Sequence, residues 1–306
     1  MALFTGNINS WDDWGNIFQS ISAFTPLVEF ILTKENLPVV KIENLTPGTN
    51  AVFKAGDHVV KVFAPLESGI DQTADLQTEI FATGWANKLN ITTPKMLSHG
   101  YIEDKYRFAY MITEFINGTG FTETVKSKTG VEKTNLGHKL RIITDKMNIP
   151  CKPFNDIDVI NDKGRFSRWE DKYTERFKAE RLKYIKSFDY GEKVFVHGDL
   201  CADNIIITPK NDIFIIDFAD SVLAPKIYEH AHIAVALFDL DPAFLHGYFG
   251  DYHADDLAET CFNGLLIHDF GGDIVRHHIG DPDEFPGLDD LRKRFRQKIE
   301  EIFHNR

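Results

Sequence analysis

The chain has 306 residues, 43% hydrophobic and 12% aromatic, enough to bury a substantial core in one bilobal unit or two small domains, and it does not read as disordered. A formal charge of -12 and a pI near 5.4 argue against a nucleic-acid or anionic-membrane partner, both of which want a basic surface, and leave room for a cationic substrate. Cys151, Cys201 and Cys261 form no CxxC pair, so neither a disulfide framework nor a zinc site is suggested, and a reducing cytoplasm fits them.

In chain order, Ser10 followed by Asp13 makes a capping-box-like start, and Trp14, Phe18 and Ile21 then recur at helical spacing. Pro26 is expected to divide this from a second short helical turn with Leu27, Phe30 and Ile31. Residues 1–30 show no basic region ahead of an apolar core, and no apolar run approaches the roughly 18 residues of a membrane span, so no targeting segment or membrane partner is expected.

From Val39 the period changes. Residues 39–45 and 51–55 alternate as strands around a turn at Thr46-Pro47-Gly48-Thr49-Asn50, and Gly56-Asp57 forms a two-residue hairpin into a strand over 58–64. Lys61 lies inside that strand between Val60 and Val62; alone, it reads equally as a phosphate contact or as an edge lysine facing water. Residues 70–89 carry Leu76, Ile80, Trp85 and Leu89 at helical spacing, which lets Glu79 project toward the sheet and pair with Lys61, ahead of Glu67 and Asp75 as candidates for the same role. Two further strands, over 96–102 and 106–114, complete a five-stranded antiparallel sheet, and Phe115 to Gly120 is a glycine-containing turn that suits a hinge.

The pattern then becomes helical, with Leu136, Leu140, Ile143 and Met147 on one face and Tyr173, Phe177, Tyr184, Ile185 and Phe188 on another; residues 149–169 show no sustained period. Next comes VFVHGDLCADNIII, residues 194–207, answered by IFIIDFAD, residues 213–220. Asn204 follows Asp199 by five positions, and a second apolar run ends at Asp217. Two carboxylates and an amide at the tips of paired strands are the set that phosphoryl transfer needs: one carboxylate to orient and deprotonate a hydroxyl, an Asp and an Asn to hold magnesium. Singly, each of these residues also reads as a turn former; jointly they point to a kinase of small molecules. His197 reads as a scaffold for the loop.

The last third is helical, most clearly over 228–238, 255–270 and 288–302. Carboxylates recur there, and Asp220, Glu229, Asp239 and Asp269 are the candidates for a wall that holds the ammonium groups of a substrate, against the alternative of solvated helix faces. His230, His232, His246, His253, His268, His277 and His278 lack an HExxH-type arrangement and read as scattered core or surface residues.

HGDLCADN, the run ending at Asp217, the segment DFADSVLAPKIYEHAHI over 217–233, and Lys61 with Glu79 upstream resemble the aminoglycoside phosphotransferase and choline kinase superfamily, nearest to the aminoglycoside, hygromycin-type members. The resemblance implies an α+β, bilobal, protein-kinase-like fold. Its small nucleotide-binding lobe, with an N-terminal helical extension, would span residues 1–114, and a larger helical catalytic and substrate lobe residues 115–306. It makes Asp199 the catalytic base, Asn204 and Asp217 the Mg2+ ligands, Lys61 the phosphate contact and Glu79 its partner. The turn of Gly48, Thr49 and Asn50 would lie over the phosphates of ATP, or of GTP in its place, and adenine would lie against the backbone of Thr113 and Phe115. Asp217-Phe218-Ala219 stands where protein kinases have DFG, and Ala219 lacks the freedom for a flip of that kind. The implied activity is phosphorylation of a hydroxyl on a small cationic molecule, an aminoglycoside first, by a cytoplasmic monomer or dimer. A metabolite kinase for choline, methylthioribose, homoserine or a fructosamine, and a non-catalytic nucleotide-binding module, are the alternatives.

Overall fold

The computed structural model describes residues 2–46, 48–161, 169 and 172–304. The chain divides into two compact units, Met1–Gly118 and Thr119–Arg306.

In the first unit, Ser10 caps helix α1 (Trp11–Ile17), its Oγ accepting the Asp13 N–H at 3.1 Å, and Ser20 caps α2 (Ile21–Lys34). The expected break at Pro26 is corrected: the chain breaks earlier, over residues 18–20, and α2 runs through the proline. Pro26 costs one intrahelical hydrogen bond near the start of the helix. Phe24, Leu27, Val28, Ile31 and Leu32 all turn to one buried stripe that offsets it.

Strands β1 (Ile42–Asn44), β2 (Ala51–Ala55) and β3 (His58–Val62) are followed by helix α3 (Thr73–Lys88) and then by β4 (Met96–Glu103) and β5 (Arg107–Glu114). All pair antiparallel in the order β1-β2-β3-β5-β4. Gly56 turns the β2–β3 hairpin at φ +64°, in the left-handed region that its missing Cβ permits. Alternation then sorts the side chains by face. Phe53, Val60, Val62, Phe108, Tyr110 and Ile112 pack against Phe4, Trp14, Phe24 and Leu27 of the N-terminal segment. Phe63 and Met111 form a separate cluster with Leu76 and Ile80 of α3. The sheet is therefore covered on both faces.

The second unit holds β6 (Thr119–Gly120), α4 (Phe121–Val125), α5 (Gly130–Met147), α6 (Glu175–Ser187), β7 (Lys193–Val196), β8 (Ile205–Ile207), β9 (Ile213–Ile215) and β10 (Val222–Pro225). Then follow α7 (Lys226–His232), which widens into a π-helical turn over Ile233–Leu237, α8 (Pro242–Phe249), α9 (Ala254–Ile267), α10 (Gly271–Ile274) and α11 (Leu288–His304). Two small sheets, β10-β7 and β6-β8-β9, are set among these helices. Gly264 lets α9 lie directly on α7: a Cβ there would fall 2.0 Å from the Ile227 carbonyl oxygen. That approach fixes the helix carrying Glu229 and His232.

Candidate active site

Val194, Phe195 and Val196 are buried, so β7 anchors the loop that begins at His197. The His197 ring is buried as well. Its Nε2 lies 3.0 Å from the Ile216 carbonyl oxygen and its Nδ1 lies 3.3 Å from the Asp199 N–H, so Nε2 carries the proton and Nδ1 accepts. Burial pushes its pKa down to about 4, which keeps this neutral tautomer. Gly198 has φ +90°, and a Cβ on it would fall 1.9 Å from the Asp220 carbonyl oxygen, so the loop closes here only on glycine.

A 3-10 turn over Ala202–Asn204 returns the chain to β8. The Asn204 Nδ2 donates to the Asp199 carbonyl oxygen at 2.8 Å and to its Oδ2 at 3.2 Å. Because β8 and β9 pair with Ile205 opposite Ile215, the next residues out, Asn204 and Ile216, meet at the same end of the hairpin, and the Ile216 N–H donates to the Asn204 carbonyl at 3.0 Å. Asp217 follows on this rim, solvent-exposed and at φ +60°, a conformation that aspartate adopts more readily than most residues. Phe218 turns inward against the His197 ring, centroids 4.6 Å apart. Asp199, Asn204 and Asp217 thus come from one loop and one hairpin end.

This donor set fits a hard divalent cation. Asn204 spends its amide nitrogen on Asp199, which turns its Oδ1 the other way, and with the Asp217 carboxylate it supplies oxygen ligands of the kind magnesium takes together with water and phosphate oxygens. Among the described residues no group of three His, Cys, Asp or Glu side chains could hold an ion by itself.

In the first unit, the register places Lys61 opposite Met111 on the face that α3 covers, and its Nζ lies 2.8 Å from Glu79 Oε2 with both side chains almost wholly buried. Gly48 and Thr49 are exposed, and the Thr49 carbonyl accepts the Trp14 indole N–H at 2.8 Å. Asn50 points inward instead; it is 7% exposed, and its Oδ1 has no hydrogen-bond partner among the described residues. Pro47 lies outside the described residues. Of the backbone expected beside adenine, the Phe115 N–H donates to the Asp57 carbonyl at 2.8 Å, while Thr113 is paired to Val59 on one side and Met96 on the other.

The expected acidic wall separates into different environments. Glu229 is corrected: it is 1% exposed, and its two oxygens accept the His197 N–H and the Asn148 Nδ2, each at 2.6 Å, so it braces the loop from inside and cannot meet a substrate. Burial pushes its pKa up to about 7. Asp239 is exposed and paired with His278 at 2.9 Å. Asp220 and Asp269 are half-buried, and the Asp269 N–H donates to the Tyr228 hydroxyl at 3.2 Å. Sequence reasoning missed Asn148, His232 and Trp14. For Asn148, just past the end of α5, the sequence carried no signal.

No curated protein is similar enough to match the chain. Solved structures share its fold at low identity. Wild-type aminoglycoside 2'-phosphotransferase-IIIa in its GDP complex is 16% identical, with a TM-score of 0.59, covering 94% of this chain and 98% of that one. Amicoumacin kinase hAmiN, in complex with AMP-PNP and Ca2+, is 14% identical, with a TM-score of 0.58 over 89% of this chain and 92% of that one. An ethanolamine kinase of Plasmodium vivax is 14% identical, with a TM-score of 0.53 over 96% and 94%. The model of the APH phosphotransferase enzyme family matches residues 49–262, a span that holds Lys61, Glu79, Asp199, Asn204 and Asp217, and the chain belongs to that family of small-molecule phosphotransferases.

Proposed function

We propose that the chain transfers the γ-phosphoryl group of ATP, with Mg2+, to a hydroxyl of a small cationic molecule, and that this acceptor is an aminoglycoside. The observation that carries the reaction is the Asp199–Asn204 contact beside Asp217 at one hairpin end. Asp199 accepts the proton of the acceptor hydroxyl as its oxygen attacks the γ-phosphorus in line. Asn204, through Oδ1, and Asp217 hold the metal, and Lys61, held by Glu79, contacts the α- and β-phosphates. The ion, when bound, neutralises charge on the phosphates. Residues 1–114 serve the nucleotide, through the exposed Gly48 and Thr49 among others, and residues 115–306 serve catalysis and the acceptor. Positioning supplies most of the acceleration, since no covalent intermediate is needed.

The cationic acceptor is supported by the formal charge of -12, by Asp220, Asp239 and Asp269 as accessible carboxylates, and by the aminoglycosides named with several fold neighbours, kanamycin and streptomycin among them. The ethanolamine kinase neighbour supports a second reading in which the acceptor is a cationic metabolite. GTP is the alternative donor, since relatives in fold were solved with GDP.

Coupled nucleoside-diphosphate release with Mg-ATP or Mg-GTP tests these readings against kanamycin, streptomycin and hygromycin beside ethanolamine, choline, methylthioribose, homoserine and a fructosamine. Release with an aminoglycoside supports the first acceptor class, and release with a metabolite alone replaces it by the second. Asp199→Asn should abolish turnover while leaving nucleotide binding nearly intact, and Asp217→Ala should abolish turnover by loss of metal. Near-normal turnover in Asp199→Asn would show the base assignment to be wrong.

A further inference from the structure

We infer that His232 is a positioning residue for the base: a neutral imidazole whose Nε2–H faces Asp199 Oδ1 and holds that carboxylate in the orientation from which it takes the acceptor proton. The inference rests on the reading of Asp199 as base. His232 is the last residue of α7 and is 3% exposed. Its Nε2 lies 3.8 Å from Asp199 Oδ1, and its Nδ1 is buried with no hydrogen-bond partner among the described residues.

Burial pushes the ring's pKa down to about 3, so near neutral pH it carries a single proton. On Nδ1 that proton would be a buried donor without an acceptor, and the Nε2 lone pair would face a carboxylate oxygen. On Nε2 it points at Asp199, and only a bare lone pair remains unmatched. The second arrangement avoids both a wasted donor and a repulsion between lone pairs.

Asp199 then has a donor on either side, with Asn204 Nδ2 at 3.2 Å and the Cys201 thiol at 3.8 Å on Oδ2, and His232 on Oδ1. A separation of 3.8 Å is longer than a hydrogen bond, but catalytic hydrogen bonds commonly shorten when the reactants are in place. The ring is held for that approach: the His268 ring meets it edge-on at 4.6 Å, and the helix widens into its π turn at the next residue, a feature that recurs at functional sites. A residue present only for packing would make no distinction between tautomers and would tolerate an apolar side chain of similar size.

The test uses the full chain labelled with 15N-histidine. We expect the His232 signals at neutral pH to report the Nε2–H tautomer and to shift in Asp199→Asn; an Nδ1–H tautomer, or no response to Asp199→Asn, would overturn the inference. In parallel, Mg-ATP turnover with water as acceptor is followed. His232→Leu should lower kcat on the order of tenfold to a hundredfold, as expected for losing a hydrogen bond to a charged group, with KM for ATP and Tm little changed. His232→Gln, which offers an amide donor near the same place, should restore most of it. Full kcat in His232→Leu beside a dead Asp199→Asn would sink the positioning role and leave the base standing. Native turnover in Asp199→Asn would remove the base, and this inference with it.

Discussion

Lys61 owes its role to register. It lies opposite Met111, while Val60 and Val62 turn to the other face of the sheet, so its ammonium lies on the face that α3 covers and meets Glu79 at 2.8 Å. Both charges are withdrawn from water, and such a pair is worth little as a pair but a great deal when half of it is removed. Lys61→Met or Glu79→Leu alone should therefore cost roughly 3 kcal/mol or more, and the double replacement less than the sum of the two. Urea unfolding of the four proteins measures this, and additive costs would mean the pair is not coupled. The Lys61–Glu79 pair was legible because a lysine inside an apolar strand wants a partner and the helix that follows offers a carboxylate. Asp199 and Asn204 were legible because five positions of one loop carry both. Glu229 was not, since its inward direction is set by α9 resting on α7 at Gly264, a packing fact with no local signature.

At the scale of elements, the N-terminal helices read as packing, and packing is most of what they do. Trp14 adds something more specific, because its indole N–H reaches across from α1 to the Thr49 carbonyl and tethers the turn beside Gly48. Trp14→Phe keeps the ring and removes that donor. The exposed carbonyl can turn to water instead, so the stability cost should be about 1 kcal/mol. The functional cost should fall on the nucleotide: KM for ATP should rise several-fold with kcat unchanged, and an unchanged KM would separate the turn from nucleotide binding. The strands of the first unit and most helices were legible from their periods, with ends shifted by a few residues, whereas β6 and β10 were not. Two further element-level features were hidden. Pro26 sits inside α2 because a buried stripe outweighs one lost hydrogen bond. After the π turn, Asp239 and Leu240 take positive φ, and Leu240 N–H closes onto the Ala234 carbonyl at 3.0 Å, a helix end of the kind usually marked by a glycine that this sequence does not have.

At the scale of the molecule, acid stability follows from the second unit's buried titratable groups. His197, His230 and His232 are buried, and burial lowers their pKa values from 6.5 to about 4, 4 and 3. The unfolded chain therefore takes up protons below pH 6.5 that the folded chain refuses, and the stability these residues contribute above 6.5 is lost as pH falls toward 4. Glu229 works in the opposite sense. Burial raises it from 4.5 to about 7, so its contribution is fully present below 4.5 and is lost as pH rises through 7. Between 4.5 and 6.5 three groups pull against one, and the unfolded chain holds a net of about two more protons. Glu35, Glu132 and Asp158, all held below their ordinary range, act only below that window. Stability should therefore fall by up to about 3 kcal/mol for each pH unit from 6 to 5. Glu229→Gln removes the opposing proton, so a weaker protein should result whose dependence on pH over the same interval is steeper than native. Urea unfolding of both proteins at pH 7, 6 and 5 reads the two slopes. A native stability that stays level or rises as pH falls would mean the histidines are hydrated in solution, and with that the dry setting that fixes His197 in one tautomer behind Asp199 would be lost.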